Sequence, residues 1–180
     1  IILDKLKSEI GNEHEVRVWS RKQTFNPSVL STFCRFQLAN KQLAEDIKQY
    51  GIDERKSLTI SNIVPNIPKQ YRKAFILGYF DGDGSVVEQR GRIKWNKTKE
   101  IFYQVNSNVL VITIRGTKDF LSGIATELKL ENYALKKYDS TYRLVIAKKS
   151  EVKKFFTVYE NQSFFLERKY NKFLNKINKG

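Results

Sequence analysis

The fold of this chain is decided by one stretch, Ala74-Phe75-Ile76-Leu77-Gly78-Tyr79-Phe80-Asp81-Gly82-Asp83-Gly84-Ser85. The stretch predicts an apolar helix that ends in two carboxylates placed between glycines. Ala74, Gly78 and Gly82 recur at intervals of four residues, so a helix here carries one stripe with almost no side chains. Such a stripe lets a second backbone approach closely. We therefore predict that these three residues are helix-packing positions.

The two acids of this stretch indicate either a divalent metal site or a simple turn. Asp81 and Asp83 fall at the helix C-terminus, where the helix dipole is negative and a carboxylate is unfavourable. A bound cation would offset that cost, and paired carboxylates with water suit a hard metal such as Mg²⁺. Asp-Gly pairs are also common in turns, so the residue types alone leave both interpretations open. An EF-hand fits poorly, because Val86 stands where its glycine belongs and Arg92 where its closing glutamate belongs.

The motif and the residues before it resemble the LAGLIDADG homing endonuclease family. Residues 76–84 occupy the nine motif positions, with both glycines and both acids in place. The preceding run is also similar to that family: Lys41-Gln42-Leu43-Ala44-Glu45-Asp46-Ile47, Gly51-Ile52, Arg55-Lys56-Ser57, Ile67-Pro68 and Arg72. This run is typical of the approach to the second motif in a two-repeat member.

The resemblance implies an α+β fold of αββαββα repeats, whose antiparallel sheets form a DNA-binding saddle with helices packed behind. Two motif helices pack through their glycine stripes, and each terminal acid holds a divalent metal, Mg²⁺ or another cation. Water then attacks a phosphodiester on each strand. The resemblance assigns Asp83 as the catalytic and metal-binding acid, with Asp81 tuning the site. Arg143 and Lys136 are the candidates for the basic catalytic residue that the family places on its late hairpin.

Hydrophobic periodicity predicts two copies of one element order along the chain. Helices are predicted over 1–10, 41–50, 117–128, 150–159 and 164–177, and strands over 15–22, 32–39, 85–95, 102–115, 133–138 and 142–147. Helix–strand–strand–helix occurs twice, with Arg35 over Arg143 at an offset of 108 residues. We predict an N-terminally incomplete first repeat (1–51), a connector (52–68) and a complete second repeat (69–180). The alternative is one repeat with an additional N-terminal module.

The charge favours a polyanionic partner. With 33 Lys and Arg against 19 Asp and Glu, the 180-residue chain carries a net charge of +14. Nucleic acid is favoured over acidic membranes, because no amphipathic lysine helix with a Trp/Leu face and no membrane-length apolar run is visible. Arg, Lys, Asn and Gln side chains read base edges, and a β-ribbon fits the major groove. The candidate DNA-binding residues are Arg17, Arg21, Arg35, Arg90, Arg92, Lys94, Gln104 and Asn106.

Four other features carry weaker predictions. The single cysteine, Cys34, cannot form an internal disulfide, which predicts an intracellular setting (cytoplasm, nucleoid or organelle matrix) and not secretion. Cys34 itself is expected in the core and His14 at a solvent-facing strand edge. Glu88 either assists the metal or faces solvent. The lysines from 169 to 179 are expected to face solvent or phosphate.

The leading hypothesis is a site-specific double-strand DNA endonuclease that uses Mg²⁺ and serves the mobility of an intron or intein. The alternative is a non-catalytic binder on the same fold, either an RNA maturase with intron RNA as a partner or a transcriptional regulator. Asp83 favours the enzyme, because a pure binder has no need for an acid that faces DNA phosphates. No second motif is present, so either a missing N-terminal part or another chain supplies the second motif helix, or this copy is inactive. Nothing resembles intein splicing blocks, which favours a free-standing protein or an excised fragment.

Overall fold

The computed structural model describes residues 2–52, 56–89, 91–96, 98–105 and 109–177. The chain divides into two units, Ile1–Glu45 and Asp46–Gly180. No helix in the described ranges is both long enough and apolar enough to cross a membrane.

The first unit contains helix α1 (Ile2–Glu9), strands β1 (Arg17–Lys22) and β2 (Leu30–Arg35), and the start of helix α2 (Lys41–Lys48). β1 and β2 form an antiparallel hairpin in which Trp19 lies opposite Phe33, and their rings stack with centroids 5.8 Å apart. The predicted core position of Cys34 is wrong, because Cys34 is exposed. Its cross-strand partner Val18 is 54% exposed, so this face of the hairpin is not covered within the unit.

The second unit contains the αββαββα order that the sequence predicts. After the short helix α3 (Lys56–Thr59), its elements are α4 (Arg72–Asp83), β3 (Gly84–Gln89), β4 (Arg92–Asn96), β5 (Ile101–Val105), β6 (Val109–Gly116), α5 (Lys118–Glu127), β7 (Ala134–Tyr138), β8 (Thr141–Ile146), α6 (Lys149–Phe156) and α7 (Glu167–Ile177). The predicted long strands over 85–95 and 102–115 are each divided in two. Their outer parts, β4 and β5, form a separate two-stranded sheet.

The main sheet has the strand order β3-β6-β8-β7, and all its neighbours are antiparallel. Side chains alternate between its two faces, as expected of antiparallel strands. One face is fully buried under the helices and carries Ile112, Ile114, Leu144 and Ile146. The opposite face carries the polar and basic residues of the same strands and is open within the described unit.

The motif helix α4 lies in the core through Ile76, Leu77 and Phe80, which are at most 1% exposed. The Phe80 ring packs edge-on against Phe155, with centroids 4.9 Å apart. Helix propensity alone would not hold twelve residues in water, so this apolar contact is what stabilises α4;.

The segment that precedes α4 contributes residues to the core. Ile60, Ile63 and Val64 are 1–2% exposed. The Thr117 side chain, which caps α5 by accepting the Phe120 N–H, also donates to the Ile60 carbonyl. The connector has no hydrophobic periodicity, so its sequence gives no sign that Ile60 and Ile63 are core residues;.

Candidate functional site

The two acids at the end of α4 have different environments. They are two residues apart in a helix, which corresponds to a rotation of about 200° around the helix axis, so their side chains point in nearly opposite directions. Asp83 is exposed, whereas Asp81 is half-buried and faces α7. The structure therefore separates the two carboxylates that the sequence places together.

Asp81 forms a hydrogen bond with the residue that directly precedes α7. Its Oδ2 accepts the Leu166 N–H at 2.8 Å, while its Oδ1 is buried and has no hydrogen-bond partner among the described residues. Burial raises the pKa of the Asp81 carboxyl above its ordinary value, against the lowering effect of the Leu166 N–H and of Lys169. Asp81 is thus a structural contact between α4 and α7.

Lys169 occupies the C-terminus of α4 from the other side. It is 3% exposed, and its ammonium donates to the carbonyl oxygens of Phe80, Asp81 and Gly84. Burial lowers the pKa of this ammonium, and the Asp81 charge acts in the opposite direction. The carbonyls that end a helix lack intrahelical partners and carry partial negative charge, so a buried cation stabilises them. The prediction that this lysine faces solvent or phosphate is wrong.

Gly84 makes the turn out of α4 possible. β3 begins immediately after the helix, so the chain reverses with no connecting residue. A Cβ at Gly84 would lie 2.6 Å from the Phe80 carbonyl oxygen and 2.2 Å from the Phe80 ring. Only glycine fits this close approach, so it lets the sheet begin directly after Asp83.

A row of basic side chains crosses that open face. Arg115 on β6 lies opposite Arg143 on β8, which in turn lies opposite Lys136 on β7. The ring of Tyr138 lies 4.2 Å from the Arg115 guanidinium carbon and 4.4 Å from that of Arg143. Guanidinium groups held over an aromatic face keep their donors available for an anion. The structure thus brings together the two predicted basic residues, Arg143 and Lys136, and adds Arg115 and Tyr138.

Asp83 is the last residue before the strand that enters the sheet next to this row. Gly84 pairs with Ile114, so Asp83 and Arg115 are the residues that adjoin this paired position. The Tyr79 hydroxyl ties the two elements together by donating to the Arg115 carbonyl at 2.9 Å. Burial, followed by the negative charge of Asp83, raises the pKa of Tyr79 to about 12, so this hydroxyl keeps its proton at neutral pH.

The small-residue stripe of α4 faces away from the described core. Ala74, Gly78 and Gly82 are exposed. A Cβ at either glycine would meet no atom within 4 Å. Nothing within this unit therefore requires glycine at positions 78 and 82.

The first unit carries its own basic pair. Arg17 lies opposite Arg35, and both line an open cleft of about 490 Å³ with His14, Glu15, Gln37 and Ala39. The Arg21 guanidinium carbon lies 4.7 Å from the centroid of the Phe33 ring. These arginines share one face of the hairpin, as their strand phase predicts.

The remaining candidates lie on or near the β4–β5 hairpin. Arg90 and Asn106 are outside the described residues. Arg92 pairs with Val105 and Lys94 with Tyr103, whereas Gln104 pairs with Ile93.

Within the described ranges, no cluster of three or more His, Cys, Asp or Glu side chains could hold a metal ion. Glu88, the possible assisting acid, binds Lys176 at 3.0 Å through Oε1. Asp83 is thus the acid that the geometry offers at the open face.

Sequence reasoning missed Arg115, Tyr138 and Lys169. Arg115 was within a predicted strand, but its place beside Asp83 depends on the register between β3 and β6. Two signals were available: the phase that Arg115 shares with Thr113, and the position of Tyr138 two residues after Lys136. No local signal identifies Lys169, since its partners are more than 80 residues earlier in the chain.

Residues 70–158 match the model of the LAGLIDADG-like domain. Among solved structures, the chain is similar to the homing endonuclease I-TnaI (20% identity, 57% of this chain and 69% of the other, TM-score 0.40). It is also similar to the archaeal intron-encoded homing endonuclease I-Vdi141I complexed with DNA (19% identity, 63% and 72%, TM-score 0.43) and to the meganuclease I-SmaMI bound to uncleavable DNA (18% identity, 59% and 36%, TM-score 0.41). No curated protein matches the sequence.

Proposed function

Since residues 70–158 match the model of the LAGLIDADG-like domain, we propose that this chain is a LAGLIDADG protein and a site-specific endonuclease acting on double-stranded DNA. It hydrolyses one phosphodiester bond on each strand of its target. The observation that carries this proposal is the exposed Asp83, whose next residue, Gly84, enters the sheet that carries a row of three cationic side chains. A surface for phosphate binding alone gains nothing from an acid at that place.

Asp83 is the proposed ligand of a divalent cation, Mg²⁺ or another. Mg²⁺ is usually held by one or two carboxylates together with substrate phosphates and water, so one exposed acid beside a phosphate site fits its needs. When bound, the metal activates water and stabilises charge on the phosphate oxygens. Asp81 is not proposed as a ligand, because α7 occupies one of its oxygens.

Arg115, Arg143 and Lys136 are the proposed phosphate contacts around the scissile bond. Tyr138 holds both guanidinium groups over its ring, which limits their rotamers before DNA arrives. Preorganised donors stabilise developing negative charge more effectively than mobile ones. Arg143 and Lys136 therefore keep the roles that the sequence predicts, with Arg115 as an additional member.

The wider DNA contact is proposed on the open sheet face and on the basic hairpins. A net charge of +14 supplies the electrostatic part of binding;. The proposed contacts beyond the row are Arg17, Arg21, Arg35, Arg90, Arg92, Lys94, Gln104 and Asn106. Bidentate arginine contacts to guanine are the commonest base-specific interaction, so the arginines are the first to test for sequence recognition.

Cutting both strands needs a second acid. We propose that the stripe of Ala74, Gly78 and Gly82 packs against a second motif helix, from elsewhere in the protein or from another chain. The exposure of the stripe and the space around both glycines support this arrangement. Two such helices crossing closely would set two terminal acids near each other at the sheet face.

The test is cleavage of the uninterrupted version of the gene's own locus with Mg²⁺. Wild type is compared with Asp83→Asn and with Asp119→Asn, an exposed acid on α5 that serves as the control. We expect Asp83→Asn to abolish cutting while salt-dependent DNA binding remains, and Asp119→Asn to cut normally. Tight binding with no cutting by wild type would instead favour an RNA maturase or a transcriptional regulator.

A further inference from the structure

We propose that Lys169 is a positioning residue for Asp83, and that helix α7 is therefore part of the catalytic apparatus. This inference rests on the proposed nuclease function for its consequence in cleavage. It concerns a residue outside residues 70–158, the part of the chain that matches the family model.

The geometry around the Lys169 ammonium supports this role. The three N–H groups of a lysine ammonium can serve three acceptors, and the carbonyls of Phe80, Asp81 and Gly84 supply three;. The Nζ–O distances to Asp81 and Gly84 are 3.0 and 2.7 Å. The side chain is 3% exposed, and its Nζ lies 4.5 Å from the centroid of the Phe80 ring. This is a fully used, buried cation and not a surface lysine that happens to lie nearby.

The positions of these carbonyls in the chain connect Lys169 to Asp83. Asp81 and Gly84 flank Gly82 and Asp83, so a single ammonium fixes the backbone on both sides of Asp83. Asp81 adds a second link to α7 by accepting the Leu166 N–H. The direction of the Asp83 side chain is thus determined by contacts that come from α7.

Helix α7 also makes contacts with β3 that do not reach Asp83. Lys172 donates to the Val86 carbonyl at 3.1 Å, and Lys176 pairs with Glu88 at 3.0 Å. These lysines follow Lys169 along one face of α7, while their partners move along β3 away from the helix end. Lys172 therefore provides a matched control: the same residue type, helix and kind of acceptor, but a different point of contact.

The experiment compares Lys169→Met, Lys169→Arg and Lys172→Met in the full-length protein. Single-turnover cleavage is measured at saturating protein with Mg²⁺, and the dissociation constant for target DNA is measured with Ca²⁺. Since a misplacement of about 1 Å can reduce a rate about a hundredfold, we expect Lys169→Met to cut at least about tenfold more slowly. Its affinity for DNA should change by less than about threefold, Lys172→Met should cut normally, and Lys169→Arg should recover part of the rate.

Hydrogen exchange tests the same claim without DNA. The Gly84 N–H donates to the Phe80 carbonyl, which Lys169 also binds. In Lys169→Met we expect this amide to exchange at least about tenfold faster, while the Leu128 amide at the end of α5 is unchanged;. If Lys169→Met does not fold, Lys169→Gln, which is uncharged and shorter, is judged by the same two readouts.

The proposal is overturned if a folded Lys169→Met protein cuts DNA at the wild-type rate, or if Lys172→Met loses as much. It is also overturned if the Gly84 amide keeps its protection. A wild-type protein that cuts no DNA would refute the proposed function instead, and the exchange measurement would still decide whether Lys169 holds the end of α4.

Discussion

The replacement of Gly84 by alanine tests the turn that delivers Asp83 to the sheet face. Gly84 has extended backbone angles (φ −94°, ψ 163°) that alanine also adopts, so the penalty is steric and not conformational;. The new Cβ would lie 2.2 and 2.8 Å from two carbons of the Phe80 ring and 2.6 Å from the Phe80 carbonyl oxygen. Carbon atoms prefer about 3.5–4.0 Å, so the overlap exceeds about 1 Å.

Neither of the overlapped groups can move away cheaply. The Phe80 ring is 0% exposed and packs against Phe155 and Phe173, with centroids 4.9 and 6.2 Å away. Its carbonyl is fixed by the helix end and by Lys169. Forcing extra volume into a packed core costs about 1–3 kcal/mol, of which about 0.4–1 kcal/mol is offset by the lower entropy of the unfolded alanine chain. We therefore expect the free energy of unfolding of Gly84→Ala to be about 1 kcal/mol lower than that of the wild type.

The matched control is Gly82→Ala, two residues earlier in the same motif. Gly82 is helical, and a Cβ there would meet no atom within 4 Å. Alanine is favoured over glycine inside a helix by about 0.5–1 kcal/mol, so this variant should gain stability. Guanidinium unfolding followed by far-UV circular dichroism gives both values. Equal stability of Gly84→Ala and wild type, or equal losses in the two variants, would refute the steric reasoning.

Three further substitutions test contacts around the site. Tyr79→Phe removes the hydroxyl that donates to the Arg115 carbonyl, so we expect its free energy of unfolding, measured by thermal unfolding, to fall by about 1 kcal/mol;. An unchanged value would show that this hydrogen bond contributes nothing to stability. Tyr138→Leu removes the ring under both guanidinium groups, and we expect several-fold weaker cleavage with an almost unchanged melting temperature; a large fall in that temperature would indicate a structural role instead;. The Glu131 N–H, which binds buried Glu151 at 2.8 Å, is the largest cause that lowers the pKa of Glu151 below its ordinary 4.5. That stabilisation is present above pH 4.5 and is lost as the pH falls through the folded-state pKa;. Acid unfolding of Glu151→Gln should lack this component, and an unchanged pH profile would contradict the assignment.

The order of elements in the second unit is predictable from local patterns. Residues 109–116 alternate between buried and open positions, and Thr117 caps α5, because strand phase and N-cap chemistry involve only near neighbours;. The bounds of the predicted hairpin at 133–147 differ from β7 and β8 by one residue at each end. Local information is sufficient wherever the stabilising partner is close in the chain.

The candidate site was only partly predictable, because its geometry depends on distant partners. The residue types alone do not distinguish Asp81 from Asp83, and it is the position of α7 that makes Asp81 the acceptor of the Leu166 N–H. The same holds for Lys169, which reads as one of many lysines in a basic terminal helix. Ile60 and Ile63 were missed for a related reason: an aperiodic segment gives no phase that marks its buried residues.

The C-terminus of α4 combines acidic side chains with a buried cation. An acidic helix end is electrostatically unfavourable, and the sequence alone suggests that a metal ion offsets the cost. The structure contains a different cation for that purpose, because Lys169 binds the terminal carbonyls from within the core. The fold therefore does not require a metal at the helix end for its stability. A divalent ion bound at Asp83 in the proposed reaction would act on the phosphate at the open face, while the buried lysine holds the acid in place behind it.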